Sequence, residues 1–482
     1  MKKIAALFLV AVMTFALFAE SALAASDFSV SLKEYSGDVT FSGNTNGAYA
    51  VALVDVESQT VLYQKNFREQ IEPASTTKIL TLLIALEQGN MDDEVTIKSS
   101  ETSTELGGPV GGSKLGIKSS EKIKLKDLLN GMMMASGNDA AVAVADHIAG
   151  SVEDFAVMMN AKAKDIGMTH SNFVTPHGMH NDDHYTTAED MAILTLYAMQ
   201  NPVFVQIVGQ SSYDMPADNK HSGVWNVKNT NKLMQPDNTY YYQYATGIKT
   251  GSTTVAGDCL VSSASKNGMN LICLVYKVNE NDPVRWTMTK DLFEWGFENF
   301  ETVDLASLIT SVESVQATVE DASAGDSGVL EFNKPDAGAV FVTLPQATIE
   351  AILDDPSAVQ ADAVYNTETL QAPITKDDVL GTLTYKFTTT GETIYQCNLI
   401  ASRDVVKAGT EPNSSGATAV ETQTPVEPTQ IKTPKDNSLV WLWLLLPAGL
   451  IAFLVIRVMN VNKRKRKRFK PRQPHYSYKI RK

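Results

Sequence analysis

From Ile79 to Leu86 the chain reads ILTLLIAL, with Thr81 the one polar side chain in eight. Helical spacing spreads those apolar groups around nearly every face, and a helix of that kind must be wrapped by protein on all sides. The segment therefore demands a layered domain with this helix at its centre. Gly89 supplies the stop, and Ile71-Glu72-Pro73-Ala74 the approach.

The surrounding pattern fills in the layers. Residues 49–65 alternate apolar and polar groups about a polar turn and read as a β-hairpin. Residues 101–118, rich in Gly and Ser, read as a long loop. Two helices are expected over 124–134 and 139–148, parted by Ser136-Gly137-Asn138. Ser151 with Asp154, and Thr187 with Asp190, have the spacing of capping boxes, for a helix ending near Gly167 and for a helix over 188–200. Strand-like runs at 245–264 and 269–278 flank a turn at 266–268, and Asp282-Pro283 opens a helix that runs to about Phe297. Helices followed by antiparallel strands and a closing helix define an α+β domain over residues 25–300. Short alternating segments then predict a small all-β domain over 301–402, and a Thr-, Pro-, Ser- and Glu-rich stretch over 403–437 predicts a disordered stalk.

Both ends carry targeting signals. Residues 1–24 combine Lys2 and Lys3, an apolar run and Ala22-Leu23-Ala24, the pattern of a signal peptide. Leu439–Ile456 is uncharged, opens with Trp441 and Trp443, and is long enough to span a bilayer, so a transmembrane helix is expected over 438–459. The tail 460–482 is basic, which places it in the cytoplasm and the rest outside. With 12 Lys and Arg and no acid after Ile456, the tail masks how acidic the exported part is: 27 basic against 54 acidic residues, in a chain of net charge −14. That balance excludes nucleic acid as a partner of the exported part. Three cysteines leave one unpaired, and centring the turn on Asn267-Gly268 sets Cys259 opposite residue 276 rather than Cys273. Small buried thiols are expected instead of a disulfide framework.

Three short motifs carry the chemistry. Ser75-Thr76-Thr77-Lys78 is an S-x-x-K at the head of the apolar helix. The i, i+3 spacing sets serine and lysine on one helix face, and burial beside another cation would lower the lysine's pKa enough to make it a base. The same pattern recurs at Ser119–Lys122 and Ser263–Lys266, without that context. Ser136-Gly137-Asn138 can aim a hydroxyl and an amide into a cleft. Lys249-Thr250-Gly251 opens an apolar strand, where Gly251 admits close backbone approach and Lys249 and Thr250 can hold a carboxylate. Each motif alone has an ordinary structural reading as a cap, a turn or a strand edge.

Together and in this order they match the set found in penicillin-binding proteins and class A β-lactamases. PASTTK, ASGNDAA and TGIKTGSTTVAG resemble the low-molecular-weight penicillin-binding proteins, the serine-type D-alanyl-D-alanine carboxypeptidases, over residues 45 to 300. The resemblance implies a β-lactamase/transpeptidase-like fold, an antiparallel sheet flanked by helices, ahead of the β domain. It implies that Ser75 attacks the penultimate D-Ala carbonyl of a peptidoglycan stem pentapeptide and that Lys78 takes its proton. Ser136 would relay a proton to the leaving amine, and Asn138 would bind the substrate backbone. Lys249 and Thr250 would hold the terminal carboxylate, and the N–H groups of Ser75 and Ser252 would form the oxyanion hole beside Gly251. No cofactor or metal is implied. β-Lactams would acylate Ser75, and the C-terminal helix would anchor the enzyme at the outer face of a bacterial cytoplasmic membrane. Position 252 is Ser where some relatives carry His, and many relatives end in an amphipathic helix rather than a span.

Rival readings remain at this stage. His177, His180, Asp182, Asp183 and His184 could form a zinc site. A β-lactamase would need a deacylating glutamate, for which Glu153 and Glu189 are available, though each sits at a helix start. A penicillin sensor that turns over poorly would want a signalling domain, for which the tail is too short. A D,D-endopeptidase shares the motifs.

Overall fold

The computed structural model describes residues 28–102, 112–332, 338 and 340–409. The expected signal peptide, most of the stalk, the membrane span and the basic tail lie outside these residues. Six strands form the main sheet: β1 Lys33–Glu34, β2 Ala50–Asp55, β3 Thr60–Lys65, β4 Ala245–Thr253, β5 Gly257–Lys266 and β6 Met269–Val278, in the order β1-β3-β2-β6-β5-β4. All pairings are antiparallel except the short β1–β3 contact.

Period-2 geometry explains why β2 sits in the middle. Ala50, Ala52 and Val54 face one core and Val51 and Leu53 the other, so a strand buried on both sides replaces the half-polar hairpin arm expected from the sequence. In β6, Ile272, Leu274 and Tyr276 face the first core while Leu271, Cys273 and Val275 face the second. The first core is completed by helices α1 Lys78–Gln88, α2 Leu125–Ala135, α3 Asn138–Ala149, α4 Val152–Asp165, α5 Ala188–Met199 and α6 Pro202–Val208; the second by α7 Val284–Asn299. Residues 78–85 of α1 are all buried, as the apolar run requires. Among the described residues no single helix is long and apolar enough to cross a membrane.

Three expectations need correction. The run 245–264 is two strands, because residues 254–256 turn the chain back on itself before Gly257. The stretch 101–118 is not wholly loop, since Ser99–Thr102 form a helical turn. The β domain does not stop at 402: Val405 is buried and pairs with Ile374, and Ala408 N–H donates to the Asp321 carbonyl. This domain has its own apolar cluster, from Leu305 to Val405, three small sheets and a helix α8, Gln346–Asp354. All three cysteines are free, with Cys259 and Cys273 buried and Cys397 half-buried. The β5–β6 register, with Leu260 opposite Val275 and Asp258 opposite Val278, leaves Cys259 nowhere near Cys273 in the pairing.

The α+β and β domains meet at a polar seam. The buried Asp55 carboxylate, at the end of β2, accepts from Ser58 N–H and Ser58 Oγ (both 2.8 Å) and from Thr302 Oγ1 at 2.7 Å. Thr343 Oγ1 lies 2.7 Å from Ser58 Oγ and 3.0 Å from Thr302 Oγ1. Burial pushes the Asp55 carboxyl above its ordinary range, against the pull of these hydrogen bonds.

Candidate active site

Ser75 lies in a single 3-10 turn, Ala74–Thr77, that leads directly into α1. Two positions without side chains hold this turn from either side. A Cβ on Gly251 would stand 3.0 Å from Ser75 N and 3.0 Å from Ala74 Cβ, and one on Gly178 would overlap the Ala74 carbonyl. Gly251 thus lets the edge of β4 press on the serine's own backbone, a reason different from the ligand approach expected from the sequence. Ala74 itself adopts φ 48°, a left-handed conformation that costs an alanine about 1 kcal/mol.

Lys78 follows at the first turn of α1, fully buried. Its Nζ lies 3.0 Å from Ser75 Oγ, 2.7 Å from Asn138 Oδ1 and 2.9 Å from the His177 carbonyl. Burial, reinforced by the positive charge of Lys249, lowers its pKa far below the usual lysine range, and Asp139 opposes this.

Asn138 begins α3, just past the loop that ends α2 at Ser136. Ser136 takes φ 56° and ψ 32°, a left-handed cap. Asn138 N–H donates to the Ser113 carbonyl, and Asp139 accepts N–H groups from Leu115 and Gly116. The segment after Gly112 is thereby held as a wall of the site. On the opposite side β4 brings Thr250, whose hydroxyl lies 2.6 Å from that of Thr230.

These elements enclose a cavity of about 400 Å³ lined by Ser75, Ser136, Asn138, Thr250, Gly251 and Ser252, among others. Lys249 does not line it. Its Nζ is buried and donates to the Thr250 carbonyl at 3.1 Å, and burial brings its pKa down to about 7. Among the lining residues that escaped the sequence reading are Lys232, Arg285 and Trp286. Arg285 pairs with Asp258 at 2.8 Å and covers the Trp286 ring, with its guanidinium carbon 4.6 Å from the ring centre. They lie on a 3-10 turn and on α7, far from any motif. The available signal was the β4–β5–β6–α7 order, which returns the start of α7 to the motif-bearing strand.

The rival constellations are taken apart by the fold. His184 is buried, with Nε2 2.9 Å from Thr77 Oγ1 and Nδ1 accepting Val174 N–H, while His177 Nδ1 accepts Met179 N–H. These histidines shape the back of the turn rather than converging on a metal. Glu189 pairs with Arg68, and Glu153 sits in the first turn of α4.

Comparison with known proteins agrees with this geometry. A family model described as D-alanyl-D-alanine carboxypeptidase matches residues 39–280, and one described as penicillin-binding protein 5, C-terminal domain, matches residues 353–407. D-alanyl-D-alanine carboxypeptidase DacF of Bacillus subtilis is 30% identical over 365 residues, covering 75% of this chain and 87% of that protein. DacA of Haemophilus influenzae, with the same description, is 31% identical over 402 residues, 81% of this chain and 93% of the relative. The crystal structure of penicillin binding protein 5 from Haemophilus influenzae aligns with a TM-score of 0.62 at 29% identity, over 76% of this chain and all of that one. The α+β sheet flanked by helices and the trailing β domain place the molecule in the penicillin-binding-protein fold class. Within that class, the chain belongs to the D-alanyl-D-alanine carboxypeptidase family.

Proposed function

We propose that the protein removes the terminal D-alanine from peptidoglycan stem peptides through an acyl-enzyme on Ser75. One observation carries the choice of base. A neutral amine has two N–H bonds and one lone pair, and Lys78 Nζ has three neighbours. Asn138 Oδ1 and the His177 carbonyl can only accept, so they take both N–H bonds, and the lone pair is left facing Ser75 Oγ. Burial, with Lys249 nearby, lowers its pKa well below the usual lysine range and so favours the neutral amine.

Ser75 Oγ attacks the penultimate carbonyl as Lys78 takes the proton. The developing oxyanion is received by the N–H groups of Ser75 and Ser252, a contribution of about 3 kcal/mol for one such donor. Ser136 passes a proton to the leaving D-alanine nitrogen, and Asn138 binds the peptide backbone. The terminal carboxylate lies toward Thr250, within the field of Lys249 below the strand and of Arg285 in the wall. Water then releases the trimmed peptide. A β-lactam presents a similar carbonyl and carboxylate and acylates the same serine. The signal-like N-terminus and the apolar segment 439–456 support an exported enzyme anchored at the outer face of the cytoplasmic membrane.

The test is release of free D-alanine from a peptide ending in Lys-D-Ala-D-Ala by the full chain and by Ser75→Ala. Release by the unmodified chain alone supports the proposal. Equal release by both overturns the serine mechanism, and penicillin labelling without release by either points to an endopeptidase or a sensor.

A further inference from the structure

Away from the cavity, Glu121, Asp218 and His221 bring three ligand atoms within 4.8 Å of one another. His221 Nδ1 lies 3.0 Å from Glu121 Oε1 and 3.2 Å from Asp218 Oδ2. The edges of a zinc tetrahedron with bonds near 2.05 Å are about 3.3 Å, so these spacings fit such an ion with little movement. We propose that Glu121, Asp218 and His221 form a structural zinc site that pins the Gly112–Glu121 segment to the loop before Trp225.

The surroundings are those of a prepared site. Each carboxylate has one oxygen tied to backbone and the other turned toward the imidazole. Glu121 Oε2 accepts Lys118 N–H at 2.6 Å, and Asp218 Oδ1 accepts the N–H groups of Lys220 and His221 at 2.6 and 2.8 Å. Such outer contacts orient ligands before the ion arrives. The His221 ring is fixed against Trp225, with centroids 4.1 Å apart. Asn219 joins the two segments of the site, donating to the Ser120 carbonyl and accepting Lys122 N–H.

Charge points the same way. Glu121 has no exposed side-chain surface and Asp218 only 9%. Among the described residues His221 is the only side chain ion-paired to either of them. A divalent cation among the two carboxylates and the imidazole would satisfy both acids. An adjoining cavity of about 650 Å³, with Asp218 and Asn219 in its wall, gives a route in and room for a water as fourth ligand. The pinned segment carries Ser113, whose carbonyl holds Asn138 N–H, so the ion would stiffen the active-site wall without touching substrate.

The experiment is equilibrium dialysis of the chelator-stripped full chain against zinc chloride, with zinc per chain measured for wild type, Glu121→Gln, His221→Ala and His147→Ala. Wild type and His147→Ala should hold one zinc more than the other two, whose half-saturation should rise by on the order of 100-fold or more. Penicillin labelling at Ser75 reports that each variant is folded. Equal zinc in all four, or none in wild type, overturns the site. Should the ligand variants fail to fold, wild type decides: cobalt(II) must give the visible absorption of a four-coordinate ion that zinc abolishes, and its absence overturns the site equally.

Discussion

The floor of the active site and the seam between the domains both bury one ionisable group among neutral partners, with opposite results. Lys78 is a cation forced toward neutrality by burial and Lys249, beside a hydroxyl that can give it a proton. Asp55 is an acid pushed in the same direction by burial, but its neighbours are Ser58 and Thr302 hydroxyls that donate to it and have no reaction to undergo. Desolvation by itself therefore does not make a catalytic group. What matters is whether a neighbour can exchange a proton and whether a cavity opens on that neighbour. A cavity opens on Ser75, whereas Ser58 is buried at the seam.

The strongest test of the contrast is Lys78→Met, which keeps the apolar stem and removes the base. The rate of penicillin acylation should fall by about 10²–10⁴-fold while the thermal melt persists. Acylation at the wild-type rate would break the comparison. Gly251→Ala should come next. Its methyl would press on Ser75 N, and a displaced nucleophile costs roughly 100-fold in kcat/KM for a D-Ala-D-Ala peptide. Release kinetics at near-normal melting temperature would check this.

Proton linkage sharpens the contrast further. Acylation needs neutral Lys78, so its rate should rise with pH through the lowered lysine pKa. Lys249, down at about 7, loses its charge as pH rises past that point, so KM for the carboxylate-bearing peptide should climb by up to about tenfold per unit. A KM that climbs between pH 6 and 9 is the expected result; a flat KM across that range would separate Lys249 from carboxylate binding. At the seam, Asp55→Ala leaves hydroxyls without their acceptor and should cost about 1–3 kcal/mol in chemical denaturation, with acylation unchanged. Because the folded Asp55 pKa is raised, its contribution is present at low pH and is lost as pH rises above the ordinary carboxyl range. Asp55→Asn should accordingly gain on wild type as pH rises. The smallest effect is on thiol chemistry. Burial drives Cys259 and Cys273 up to about 12, so an alkylating reagent at pH 8 should modify Cys397 alone in the folded chain.

Local signals in the sequence were legible. Ser151 and Thr187 do cap their helices, each accepting the N–H three residues on, because that contact needs only neighbouring residues. At Thr187 the reciprocal half of the box is not made. Asp190 turns instead to His170 N–H and Ser171 Oγ, partners that only the tertiary fold supplies. The first two motifs were readable because Ser75, Ser136 and Asn138 lie at element boundaries; Lys249-Thr250-Gly251 was readable from its residue types alone, for it lies inside β4 and does not open it as expected. Lys232, Arg285 and Trp286 were not, since their place in the wall follows from sheet order rather than spacing. Nor was the burial of Lys249 beneath the strand, which depends on what packs under β4. The break at 254–256 was missed because Thr254-Val255-Ala256 has the composition of a strand.

The turn that carries Ser75 is clasped between Gly178 and Gly251, and neither position has room for one more carbon. This confines the paths open to selection. A lineage exposed to covalent inhibitors cannot thicken the clasp without spoiling the geometry its own substrate needs. Variation that tells drug from peptide must accumulate on the far rim, at Lys232 and Thr254, whose exposed side chains trade cheaply.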